Sequence, residues 1–317
     1  MIEVSHLTKR YGTHLAVSDL SFKIEDGQIY GFLGPNGAGK STTMNIMTGC
    51  LAASSGEVKI DGHDIFEDQS AAKRLLGYLP EQPPLYLDRT PREYLSFVGR
   101  AKGLNKSQLA EQMDRVMSVT QISDVADRLI KNLSKGYRQR VGIAQALLGD
   151  PKVVILDEPT VGLDPIQIIE IRDLIKDLGR EHTVILSSHI LSEVQAVCQT
   201  ILIISKGRLV ACDTPDNLER LFAGTSSVEL TAEANAEQVT NLLSGLGHIT
   251  GLKAEPIEGG RCHVTLETDS PDADTVCREA FFAFSRAGLP ILRMSTAKAS
   301  LEDIFIELTG DKKEAEA

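Results

Sequence analysis

The stretch GPNGAGKST, from Gly34 to Thr42, concentrates the residue types that hold phosphate. It fits the pattern G-x-x-x-x-G-K-[ST] from Gly34 through Ser41. Glycines let consecutive backbone N–H groups turn inward and collect phosphate oxygens. A helix starting at the lysine adds its partial positive charge. Lys40 is expected to reach the β- and γ-phosphates, and the Ser41 hydroxyl to ligate Mg²⁺. Gly34, Pro35, Asn36, Gly37, Ala38, Gly39 and Thr42 complete the cradle. A plain glycine turn between strand and helix is the bland alternative. The flanking segments, QIYGFLG with a buried-strand pattern and KSTTMNIMTGCL with a helical one, favour the phosphate reading.

Two further stretches carry chemical groups. VVILDEPT ends a continuous apolar run in two carboxylates. Asp157 suits a Mg²⁺-bound water, and Glu158 suits polarising an attacking water, because in-line phosphoryl transfer asks mainly for positioning and charge neutralisation. Taken alone, two adjacent acids could equally be a solvent-facing strand terminus. LSKGYRQR, from Leu133 to Arg140, is a Ser-Gly turn opening into an apolar helical run. A chain that already holds one complete phosphate cradle has no evident use for another such turn about a hundred residues further on.

These groups need elements to position them. QIYGFLG, KVVILDEP and HTVILSSH read as continuous apolar strands of a parallel sheet covered on both faces. PIQIIEIRDLIKDLGRE between the last two has helical spacing and a glycine near its end, so the segment to about Arg220 is built of βαβ units. GEVKIDGHDI and TILIISKGRLVACDTP read as hairpins turning at Asp61-Gly62 and Lys206-Gly207. Between Arg89 and about Asp127 the pattern is helical, an insertion into the α/β domain. Beyond Leu221 the order becomes β-α-β-β-α-β, the split βαβ arrangement of a small ferredoxin-like α+β domain. SLEDIFIELTG is expected to close it with a Ser-capped, Gly-stopped helix, and the tail 311–317 is expected to be disordered. The expected domains are therefore 1–221, with its helical part at about 89–148, and 222–310.

The chain has 317 residues and a net charge of −11, which argues against the broad basic face of a nucleic-acid binder. From Phe222 onward there are sixteen acidic and eight basic residues, read as a solvated surface. Five cysteines, Cys50, Cys198, Cys212, Cys262 and Cys277, lie dispersed without metal-ligand spacing, as reduced thiols do in a reducing compartment. No run reaches the roughly 18 apolar residues of a membrane span, and the N-terminus has no signal-peptide pattern. The expected location is cytoplasmic, unless a partner holds the chain at a membrane.

In their order from Met1 to about Arg220, these motifs resemble the ATP-binding subunit of an ABC transporter. The resemblance implies a P-loop ABC ATPase domain with an antiparallel β subdomain and an α-helical subdomain, using ATP and Mg²⁺. It also gives roles to residues that are mute by themselves. Tyr11 is similar to the aromatic that stacks on adenine. Gln82, in YLPEQPPLY, is similar to the glutamine that ligates Mg²⁺ and senses the membrane partner. Asp164, in VGLDP, resembles the D-loop aspartate. His189, in LSSH, resembles the switch histidine that holds the γ-phosphate. LSKGYRQR resembles the signature motif. Two ATPase domains meet head to tail in this family, so Ser134 and Gly136 of one copy would close over the γ-phosphate held by Lys40 of the other. Lys135 and Tyr137 depart from the commonest form, L-S-G-G-Q, which puts in doubt the backbone conformation at 135 and the hydrogen bond that a Gln would make.

The variant S-K-G-x-R-Q-R and the ending SLEDIFIELTG resemble a bacterial exporter branch whose ATPase subunits form a homodimer on a separate six-helix membrane permease. The implied location is peripheral, on the inner face of the cell membrane, with no nucleic-acid partner. The alternatives are a soluble ABC-type ATPase acting on nucleic acid or ribosomes, and a nucleotide-dependent regulatory module.

Overall fold

The computed structural model describes residues 1–222, 226–268, 273–297 and Phe305. It divides into two compact units between Thr214 and Pro215. The expected closing helix over SLEDIFIELTG, apart from Phe305, and the expected tail 311–317 lie outside the described residues.

The first unit opens with two long antiparallel strands, β1 (Ile2–Tyr11) and β2 (His14–Ile24). β3 (Ile29–Leu33) then runs into the glycine loop and α1 (Lys40–Met47). α1 is shorter than the helical pattern KSTTMNIMTGCL suggests. Gly49 ends it by turning away with φ 67°, just after Thr48, whose hydroxyl donates to Met44 O at 3.0 Å. β4 (Ser55–Ile60) and β5 (His63–Asp64) form the hairpin at Asp61-Gly62 and join the first two strands in a sheet ordered β2-β1-β4-β5. A short α2 (Gln69–Arg74) leads into β6 (Leu76–Leu79).

The helical insertion follows as α3 (Pro91–Ala101) and α4 (Lys106–Val119), with two single 3₁₀ turns before α5 (Lys135–Leu147). Their starts are written locally. Thr90 with Glu93, and Asn105 with Gln108, form reciprocal capping boxes, and Pro91 occupies the first helical position. The end of α5 is closed from a distance. Lys102 Nζ donates to Leu148 O at 2.5 Å and to Gln145 O and Ala146 O at 3.3 Å, placing a cation on the last carbonyls of the helix. Lys102→Met keeps the stem and deletes these bonds. Chemical denaturation should show a loss of about 1–2 kcal/mol; unchanged stability would remove this cap from the description.

β7 (Val153–Asp157), α6 (Pro165–Leu178), β8 (Thr183–Ser188), α7 (Leu191–Gln195) and the hairpin β9 (Thr200–Ser205)–β10 (Arg208–Asp213) complete the unit. The six-stranded sheet runs β10-β9-β3-β8-β7-β6, and every pair is parallel except β10 with β9. Every residue of β3, β7 and β8 is buried, as the unbroken apolar runs require of central strands covered on both faces. β10 alternates exposed and half-buried residues at the edge. One core joins the antiparallel sheet, α1 and one face of the parallel sheet through Leu7, Leu20, Ile24, Met44, Phe32, Ile155 and Leu202.

The second unit holds α8 (Pro215–Phe222), β11 (Ser226–Ala232), α9 (Ala236–Leu243), β12 (Ile249–Ile257), β13 (Arg261–Thr268), α10 (Ala273–Ala287) and β14 (Ile291–Ala297). Its antiparallel sheet is ordered β12-β13-β11-β14, so β13 lies between β11 and β12 as the split βαβ pattern demands. β13 buries alternate residues against a separate core with Val239, Val276 and Phe284.

Candidate nucleotide-binding and hydrolysis site

At the carboxyl ends of β3, β7 and β8 lies a cleft of about 500 Å³. This is the end at which parallel sheets present their loops to ligands. The glycine loop supplies its floor from Asn36 to Thr42. Gly39 stands at the N-cap of α1 with φ 103°, and a Cβ there would fall 2.6 Å from Ala16 O, so only glycine fits. No side chain caps α1, which leaves the N–H groups of its first turn for a ligand.

Lys40 is only 6% exposed. Its ammonium donates to Gly34 O at 2.7 Å and Pro35 O at 3.4 Å, and lies 3.6 Å from Glu158 Oε1. Burial pulls its pKa below the ordinary lysine range, and the Glu158 carboxylate partly opposes that shift. Polyphosphate entering the cleft would supply far more negative charge and hold the ammonium protonated.

The strand ends bring the acids to this lysine. Asp157 Oδ1 accepts from Ser187 Oγ at 2.5 Å and from Ser41 Oγ at 3.4 Å. The Glu158 N–H donates to the same Ser187 Oγ at 2.9 Å, and Glu158 takes φ 48°, a left-handed conformation uncommon outside glycine. That turn carries its carboxylate back over the loop. Oε1 faces Lys40 and Oε2 lies 3.0 Å from His189 Nδ1. One carboxylate therefore spans the phosphate lysine and the histidine, where it can take a proton from a water placed between nucleotide and protein.

Tyr11 lines the cleft with its ring 48% exposed and Lys9 Nζ 5.2 Å from the ring centroid. His14, Ala16, Glu81 and Val161 also line it; Glu81 and Val161 lie inside the stretches YLPEQPPLY and VGLDP, whose motif residues are Gln82 and Asp164 instead. Gln82 lies beside the cleft, in a neighbouring cavity of about 440 Å³ with Lys135, Arg138 and Gln139; Glu81 and Val161 border both spaces. Ser134, Gly136 and Asp164 do not line the cleft of their own copy. Ser134 caps α5 by accepting from Tyr137 N at 3.3 Å, and Asp164 caps α6 by accepting from Gln167 N at 3.0 Å. Lys135 is the first residue of α5 and lacks the positive φ that would demand glycine, so the backbone accepts its side chain. The Tyr137 hydroxyl donates to Asp124 Oδ2 at 3.0 Å, tying the signature helix to the helical insertion.

A parallel sheet, a lysine-bearing glycine loop and a carboxylate poised over it define a P-loop nucleoside-triphosphate hydrolase. The ABC transporter family model matches residues 17–161. The uncharacterized ABC transporter ATP-binding protein YhcH of Bacillus subtilis is 36% identical over 99% of this chain and 97% of its own length. The Nod factor export ATP-binding protein I of Cupriavidus metallidurans is 29% identical over 98% of this chain and 97% of its own. The dimeric structure of MJ0796, a bacterial ABC transporter cassette, superposes with a TM-score of 0.62 at 25% identity, covering 68% of this chain and 98% of that one. The chain belongs to the ABC transporter ATP-binding proteins. It binds ATP and hydrolyses it for transport.

Proposed function

We propose that this chain powers an exporter by forming a head-to-tail homodimer that encloses ATP at two shared pockets. The observation that carries the reading is the division of parts. Lys40, Glu158 and His189 converge within one cleft, while Ser134, exposed at the start of α5, and Gly136, buried in its first turn, stand outside it. A site that releases one phosphate must surround it and exclude bulk water. The glycine loop covers one side, and the signature turn of a second copy would cover the other with a hydroxyl, a backbone N–H and the dipole of α5. Within such a pocket Glu158 orients water, His189 holds the γ-phosphate, Tyr11 stacks on the adenine, and Asp164 meets the partner across the interface.

Mg²⁺ fits the donors present. Among the described residues no cluster of three or more His, Cys, Asp or Glu could cage a metal unaided. Mg²⁺ keeps waters and takes phosphate oxygens readily, so a hydroxyl and an acid suffice. Ser41 and Asp157, already 3.4 Å apart, would hold it, with Gln82 arriving from the adjoining cavity. When bound it would neutralise charge on the β- and γ-phosphates.

Among the described residues no helix is long and apolar enough to cross a membrane. The substrate path would run through a separate permease, as in the exporter branch that the signature variant resembles, holding this chain at the inner membrane face. Closure does mechanical work there only if ATP favours the closed pair over the open one. The similarity to a Nod factor export protein along nearly its whole length supports the outward direction. The test is ATPase rate per subunit against protein concentration. It should rise steeply through the dimerisation range, and rise further with detergent-solubilised permease. A rate per subunit independent of concentration would rule out the shared pocket.

A further inference from the structure

Glu193 lies on the five-residue helix α7, outside every motif considered above, and its side chain is 5% exposed. A carboxylate this deep persists only if its lone pairs and its charge are answered. Its Oε2 accepts from Thr160 Oγ1 at 2.5 Å and from Ser188 Oγ at 3.2 Å. Its Oε1 lies 3.9 Å from Arg172 Nη2, and Arg172 Nε is buried without a hydrogen-bond partner.

The identities of these donors matter. Thr160 follows Glu158 by two residues on the same loop, and Ser188 immediately precedes His189. The Ser188 hydroxyl also accepts from Ile190 N at 3.0 Å, so its two bonds straddle His189 and fix the turn that carries it. A single oxygen thus sets the spacing of the two loops whose side chains meet at 3.0 Å, Glu158 Oε2 with His189 Nδ1. Arg172 sits on α6, the helix capped by Asp164, and supplies the countercharge from there.

We propose that Glu193 is a positioning residue for ATP hydrolysis, its carboxylate locking the loop of Glu158 to the loop of His189 through the hydroxyls of Thr160 and Ser188. This rests on the roles given above to Glu158 and His189. Misplacing reacting groups by about 1 Å costs on the order of a hundredfold in rate. Of the ground-state contacts to nucleotide assigned above, those of the glycine loop, Lys40 and Tyr11 lie on elements that Glu193 does not touch, and only that of His189 runs through it.

The test compares Thr160→Val, which is isosteric and lacks only the hydroxyl, with Thr160→Ser, which keeps it, and with Glu193→Gln. Thr160→Val and Glu193→Gln should each lower kcat by ~10- to 100-fold, while ATP affinity, read in a Glu158→Gln background, stays within about twofold. Thr160→Ser should recover most of the loss. A merely structural role would lower ATP affinity, melting temperature and kcat together, and that pattern would overturn the proposal, as would near-normal kcat in both variants. Should Glu193→Gln fail to fold, the Thr160 pair decides alone. Glu158→Gln run alongside separates the two levels. If it hydrolyses ATP normally, the underlying site assignment fails. If it is inert while Thr160→Val and Glu193→Gln are fully active, that assignment stands and Glu193 has no part in it.

Discussion

Glu158→Gln should bind ATP at least as well as the natural protein while turnover falls by at least about a hundredfold, the usual range for a lost general base. Gln preserves the size of the side chain that spans Lys40 and His189 at 3.6 and 3.0 Å. It cannot take a proton from water. In the natural protein Glu158 competes with phosphate for the Lys40 ammonium. Without that charge, burial pulls the lysine pKa down further in the empty site, and incoming phosphate restores it. The rise in melting temperature on adding ATP should therefore be larger in the variant, because the empty form has lost more than the loaded one. ATP would also hold the variant as a persistent dimer, visible by gel filtration. Steady-state phosphate release decides the first point, and a normal rate would falsify the water-orienting role.

Ser134→Asp should leave each copy folded and able to bind nucleotide, yet stop hydrolysis. Aspartate caps helices as well as serine does, so the start of α5 should survive. The same change places a negative charge where the γ-phosphate of a second copy would sit. Removal of one donor to a developing oxyanion already costs roughly 10²–10³ in rate, and repulsion adds to that. Lys40→Ala should be equally inert for the opposite reason, since it spoils the copy's own cradle. Mixing the two silent proteins should restore activity. In a mixed pair, one pocket combines the intact Lys40 of the first with the intact Ser134 of the second. If the mixture stays silent, although both proteins are folded and associate, the signature turn does not serve a neighbour's nucleotide.

The parts of this site that could be read in advance are those where local chemistry allows few alternatives. An unbroken VVILD run must be buried on both faces, and a glycine loop between such a strand and a helix has one common use. The small C-terminal unit was readable for the same reason, because alternation in RCHVTLET exposes its one-sided burial. The end of α1 was not, since apolar spacing continues past Met47 and only the left-handed conformation of Gly49 stops it. Glu81 and Val161 stand inside YLPEQPPLY and VGLDP, beside the residues those motifs single out, and His14 follows Tyr11 by three; none carries a type or spacing of its own that marks it as a lining residue. Glu193 looks like any acid on a short helix until burial and the two hydroxyls become visible. The doubt about Lys135 was one of backbone geometry, and a helical first position without positive φ removes it.

Gly136 and Gly162 have a consequence for how defects would spread. A Cβ on Gly136 would come within 2.7 Å of the Gln167 side chain, and one on Gly162 within 2.2 Å of Lys135 Nζ. The turn at 134–136 and the loop leading to Asp164 thus meet inside a single polypeptide through the ends of two side chains, Gln167 over Gly136 and Lys135 over Gly162. In the head-to-tail pair proposed above, enlarging Gly136 would harm a chamber whose own cradle is chemically intact, whereas Gly162, next to Val161 of its own cleft and at φ 69°, would touch both. The Gly136 lesion would be inherited by the neighbour, in the manner of a dominant-negative allele.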